Sequence, residues 1–238
     1  MMFGGFFDMD KPFWRWIGKI PDLIGLSFCW YICCIPIITI LPASCALFDA
    51  VSRNLMMDDK GCYTRFVRSF VRELRQGIPL TIFWGIIGLI AVFGDWVVSA
   101  NPSFGIFAIL YKIMIFMLVG YIGWIVPLQS RYHHKFMGLH VNALKFFLGR
   151  LPGSGLMLLA TAAVVVICTI HRYTYCLLVV APCLIAVFHT FPVEKAFQIA
   201  FPQDYEDGLP VYTEQDRIGI QMIKKAKQAE AEARENEY

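Results

Sequence analysis

The sequence predicts an all-α fold: a polytopic transmembrane helical bundle of five spanning helices, with a short returning helix and an amphipathic interfacial helix. Three observations predict it. Hydrophobic residues make up 58% of the 238-residue chain and charged residues only 16%, against roughly 25% charged in soluble domains. Five apolar runs are long enough to cross about 30 Å of hydrocarbon, which takes about 20 helical residues. Lys and Arg collect in the segments between those runs rather than in one patch, as in membrane-flanking loops. With a formal net charge of only +3, the chain offers little to a phosphate backbone, and no nucleic-acid partner is expected.

The runs are Ile20–Leu41, Ile78–Ala100, Phe104–Leu128, Leu151–Ile170 and Tyr173–Phe191. Asn101-Pro102-Ser103 and His171-Arg172 punctuate neighbouring runs, predicting tight hairpins. Residues 1–200 thus form a transmembrane domain and 201–238 a charged tail, rich in Ala, Glu and Lys after Asp216. The first run is too long for the apolar region of a cleaved signal peptide, and Pro42 sits where a lipoprotein-type site before Cys45 wants an aliphatic residue.

Orientation follows from the loops. The segment Gly94–Ser103 has no Lys or Arg, whereas Leu55–Gln76 carries Lys60, Arg65, Arg68, Arg72 and Arg75, and Ser130–Arg150 carries Arg131, Lys135, Lys145 and Arg150. The positive-inside rule makes those two loops cytoplasmic, and with them the C-terminal tail of a protein of the cell membrane. Lys11, Arg15 and Lys19 also flank the first run, and a plain five-span count leaves them outside. If Pro36 and Pro42 break that run, Ala43–Met57 returns as a helix of about 22 Å, and both chain ends are cytoplasmic.

The stretch CWYICCIPIITILPAS, Cys29 to Ser44, raises a metal or redox site. No His or carboxylate lies within a turn of Cys29, Cys33 and Cys34, and zinc-type CxxC pairs are absent, so these thiols read as small packing residues of a proline-broken helix. Cys45, Cys62, Cys168, Cys176 and Cys183 are scattered, without the spacing of a disulfide framework. His133, His134 and His140 stand beside Arg131 and Lys135, which disfavour a bound cation. No nucleophile–base pair, phosphate loop or dinucleotide fingerprint is visible. The expectation is a non-enzyme with no metal and no cofactor.

Two sets of residues carry functional weight. In CYTRFVRSFVRELRQ, Cys62 to Gln76, Arg65, Arg68, Arg72 and Arg75 share one helical stripe, and Phe66, Val67, Phe70, Val71 and Leu74 lie opposite. Such a helix lies in the membrane interface against anionic lipid, or offers a docking face to a partner. Gly77 and Pro79 mark the joint where it would enter the membrane. The second set is Asp49, Arg53 and Lys112, ionisable residues within apolar surroundings and therefore functional candidates. Asp49 and Arg53 at i,i+4 can neutralise each other. Lys112, roughly 12 Å down its helix, can snorkel or pair with Asp95. Glycines at 85 and 88, 120 and 123, and in the 149–155 cluster offer small surfaces for helix approach, and Pro127 and Pro182 are expected to kink or end their spans.

The N-terminal FFDMDKPFWRWIGKIPDLIGLSFCWYICCIPIITILPASCALFDAV resembles the YesL-like family of bacterial membrane proteins. Two further stretches match in order: the F-x-x-S-F-x-x-x-x-x-Q-G segment from Phe66 to Gly77, and Pro127-Leu128 followed by Arg131-Tyr132 and Asn142-Ala143-Leu144-Lys145. The resemblance spans about residues 3–200; Leu41-Pro42 stands where the family often has glycine. It implies an accessory or assembly subunit linked to ABC-type carbohydrate import, with importer permeases as partners besides membrane lipids, and it brings no catalytic residues. A self-sufficient small-solute transporter or channel, resting on Asp49, Arg53 and Lys112, is the alternative.

Overall fold

The computed structural model describes residues 12–57, 61–100, 105–132, 135–170, 178–206 and 209–211. These residues are almost entirely helical. Seven α-helices occur among them: α1 Pro12–Cys33, α2 Ile40–Met57, α3 Cys62–Ala100, α4 Gly105–Arg131, α5 Phe136–Gly149, α6 Leu151–Ile170 and α7 Ala181–Ala200. Lys11, the turns expected at 101–103 and 171–172, His133, His134, Cys176 and the tail beyond 211 lie outside the described residues.

Three of the helices, α3, α4 and α6, are long and apolar enough to cross a membrane. Their outward faces are strongly apolar: Leu89, Val92, Ile106 and Leu159 are each about two-thirds exposed or more. A surface of this kind is stable against acyl chains and not against water.

The first apolar run is not one span. Its helix stops at Cys33, and Ile37–Thr39 form a 3-10 turn before α2 starts at Ile40. The reason is local. Pro36 has no N–H to continue the ladder, and Thr39 Oγ1, 2.5 Å from both Cys33 O and Pro36 O, shares its one proton between these two carbonyls and closes the reversal. The chain then returns as α2, which is not a surface element. From Leu41 to Asn54 every residue but Ser44 is buried, and α2 packs on α1, α3 and α4. Lys19 Nζ, near the start of α1, donates to Asn54 O at 2.9 Å near the end of α2. The hairpin therefore brings Lys19 of α1 to the end of α2 that leads into α3.

The core at this junction joins Leu26 of α1, Ala46, Leu47, Ala50 and Val51 of α2, Cys62 and Phe66 of α3, and Cys183 and Ala186 of α7. Small side chains let α2 approach closely. A Cβ on Gly77 of α3 would stand 2.5 Å from Pro42 Cγ. At Gly120 of α4 it would stand 2.8 Å from Leu158 of α6. Gly85, Gly88, Gly149 and Gly155 have nothing within 4 Å, so those expected approach surfaces are not used.

Three further expectations are corrected. Gly77 and Pro79 form no joint: α3 continues through both as one helix of 39 residues. Pro127 lies inside α4 without ending it, and Pro182 opens α7 rather than terminating a span, the position where a missing N–H costs least. The loop 130–150 contains a helix of its own, α5, whose buried residues Leu139, Ala143 and Phe147 recur every fourth position.

The chain divides into two compact units, residues 1–192 and 193–238. In the second, Pro202–Asp204 form a 3-10 turn, Tyr205–Glu206 and Leu209–Pro210 pair antiparallel, and Tyr205 Oη donates to Glu194 Oε2 at 2.6 Å.

Candidate functional site

A buried polar centre lies where α2, α3 and α4 meet. Its first half is the pair expected from the sequence: Arg53 Nε donates to Asp49 Oδ1 at 2.9 Å, and both side chains are buried. The second carboxylate oxygen of Asp49 accepts from Ser69 Oγ of α3. The other half was not read from the sequence. Glu73, one turn beyond Ser69, is only 1% exposed. It accepts from Arg72 Nε and from Gln129 Nε2 of α4, each at 3.0 Å.

Gln129 Nε2 also donates to Gln76 Oε1 at 2.9 Å, and Arg72 reaches Ser130 O at 3.0 Å. Two carboxylates thus face two guanidinium groups, and the centre is neutral as a whole. An apolar bundle admits such charges when they are paired and hydrogen-bonded.

The arginine stripe is only partly a free surface. The face α3 buries is Cys62, Phe66, Ser69, Glu73, Gly77 and Leu80. Arg68 and Arg75 are exposed, Arg65 is half-buried, and Arg72 is held against Glu73 and Ser130. The apolar residues thought to lie together part company: Phe66 is in the core, whereas Val67 and Val71 stand outside. With Tyr63, Thr64 and Arg68 these two valines line a shallow surface groove.

Lys112 does not join the centre. It is exposed on α4, 17 positions from Gln129, about 25 Å along the helix. No ion pair forms with Asp95, whose Oδ1 has no hydrogen-bond partner among the described residues.

The described cysteines are free thiols, and no cluster of His, Cys, Asp or Glu among the described residues could hold a metal. His140 is packed among rings: Phe136 at 4.4 Å, and Trp84 stacked at 5.7 Å between centroids. Its Nδ1 lies 2.8 Å from Phe136 O. Nε2 of His140 and Nε1 of Trp84 are both buried without a partner among the described residues.

A separate space of about 460 Å³ opens between α1, α2, α4, α6 and α7. Its wall is mainly apolar, and the polar groups it holds are already engaged. Trp30 Nε1 donates to Ser44 Oγ at 3.2 Å, and Thr161 Oγ1 lies 2.9 Å from His189 Nε2.

Three helices long and apolar enough to cross a membrane, packed around a neutralised polar centre, make this a helical protein compatible with a membrane setting. Residues 23–94 match a family model described as "Protein of unknown function, DUF624". That segment runs from α1 through most of α3 and carries Asp49, Arg53, Ser69 and Glu73. No curated protein and no solved structure matches the chain.

Proposed function

We propose that this chain is a non-enzymatic accessory or assembly subunit of a membrane complex, and that the complex is an ABC-type carbohydrate importer. The observation that carries the docking role is the exposed face of α3, where Val67 and Val71 stand out beside Arg68 at the end of the bundle rich in basic residues. An apolar strip edged by a guanidinium suits the flank of a partner helix near the headgroup level. The link to sugar import rests on the resemblance to the YesL-like family, with which the match over residues 23–94 to a family of unknown function is compatible. Lys19, Arg72 and Lys135 sit toward one end of the bundle, which supports placing that end in the cytoplasm; the cytoplasmic tail rests on the charge pattern of the sequence alone.

A self-sufficient carrier is the weaker reading. Sugars need several open hydrogen-bonding groups, and the 460 Å³ cavity is mainly apolar. Asp49 and Arg53 are spent on each other, and Lys112 is remote from both. The test of the docking face is a photo-crosslinking residue at Val71, with Leu89, equally outward on the same helix, as control. The proposal expects a discrete protein adduct from position 71 alone in native membranes. Lipid adducts alone from both positions would refute it.

A further inference from the structure

A second, smaller pocket, about 210 Å³, opens where α3, the end of α4 and the start of α5 converge. Its lining includes Arg75, Gln76, Gln129 and Lys135. The side chains of Arg75 and Lys135 make no hydrogen bond or ion pair among the described residues. The nearby carboxylate, Glu73, is already engaged by Arg72 and Gln129, so among the described residues it does not compensate the two cations.

The buried centre also fixes the chemistry of the pocket wall. Gln129 gives one N–H to Glu73 and the other to Gln76 Oε1. Gln76 must therefore turn its oxygen toward Gln129, which leaves its NH2 group as the free end. The start of α5 lines the same pocket with no side-chain cap, and its first-turn N–H groups add positive potential. Guanidinium and amide donors from α3 and the ammonium group at the start of α5 face one space, which is the donor set of a phosphate site.

We propose that this pocket binds a phosphate group, carried either by the headgroup of an anionic bilayer lipid or by a small soluble molecule. The site is independent of the docking face, because Arg68, Val67 and Val71 are not part of it. Glu73 and Gln129 act as positioning residues that hold Gln76 with its donor outward.

The test is calorimetric titration of the full-length protein in maltoside micelles, which contain no phosphate. The probes are dihexanoyl phosphatidylglycerol and inorganic phosphate. Saturable binding of the lipid alone identifies a headgroup site, and binding of inorganic phosphate identifies a site for a free phosphoryl group. In either case Arg75→Gln with Lys135→Gln should weaken binding about tenfold or more. Gln76→Glu should do the same, since it keeps the oxygen facing Gln129 but replaces the donor with a charge that repels phosphate. Arg68→Gln should change nothing. No saturable binding of either probe, or equal losses in the Arg68 control, would overturn the proposal; unchanged thermal unfolding of the variants excludes a folding defect as the cause.

Discussion

Replacing Glu73 with glutamine changes one atom of the side chain and disturbs the arrangement of three residues. In the native centre both oxygens of Glu73 accept, from Arg72 and from Gln129. An amide at position 73 can still accept from Arg72, but its NH2 then faces the NH2 of Gln129. Relief requires Gln129 to flip, which sets its oxygen against that of Gln76, so Gln76 must flip as well. A charge-assisted hydrogen bond contributes about 1.5–3 kcal/mol and a neutral one about 0.5–1.5 kcal/mol. Losing the charge from two such bonds therefore costs about 2 kcal/mol, a change of roughly 30-fold in the folding equilibrium. The larger penalty for stranding a buried charge does not apply to Arg72, whose side chain is 40% exposed. Equilibrium unfolding in mixed micelles, followed by tryptophan fluorescence, measures this with the denaturant slope held as a check on the end states. A loss below about 0.5 kcal/mol, the scale of an ordinary surface substitution, would refute the argument that Glu73 organises this centre.

Other outcomes follow from the same geometry. Asp49→Asn should destabilise by about 1.5–3 kcal/mol by removing the charge from a buried ion pair; adding Arg53→Gln should recover part of that loss, and additivity in the unfolding assay would show the two residues are not coupled. Gly77→Val should impair folding because its Cβ meets Pro42, whereas Gly88→Ala, with nothing within 4 Å, should be neutral or stabilise by up to about 1 kcal/mol; thermal stability in detergent separates them. His140→Phe preserves the ring contacts and removes a buried nitrogen without a partner, so its cost in the same assay should stay within about 1 kcal/mol.

Length and hydropathy suffice to locate helices whose surroundings are hydrocarbon, and so the runs at 104–128 and 151–170 correspond closely to α4 and α6, while the run at 78–100 is the second half of α3. They carry no information on which face meets protein. Ile40–Met57 could have been a lipid-facing hairpin arm and is instead the most enclosed helix of the bundle, a distinction made only by packing. The helix α5 escaped notice because it is short and holds His140, Asn142 and Lys145 among its apolar residues, so its four-residue period is diluted. In the polar centre, Asp49 and Arg53 were legible because their i,i+4 spacing is local. Glu73 was hidden inside an arginine-rich segment, and Gln129 and Ser130 at the end of an apolar run. Their signal was the four-residue step from Ser69 to Glu73, which follows the buried face of α3, yet the partners that give it meaning lie more than 50 positions away.

The measurement that bears most directly on the function is copurification of the tagged full-length protein from its native membrane in mild detergent, with stoichiometric partners identified by mass spectrometry. The accessory-subunit account expects an importer permease at a fixed ratio, and its loss when Arg68 and Val71 are both changed to glutamate without disturbing the fold. Recovery of the chain alone, with the permease complex intact elsewhere in the same membranes, would contradict it.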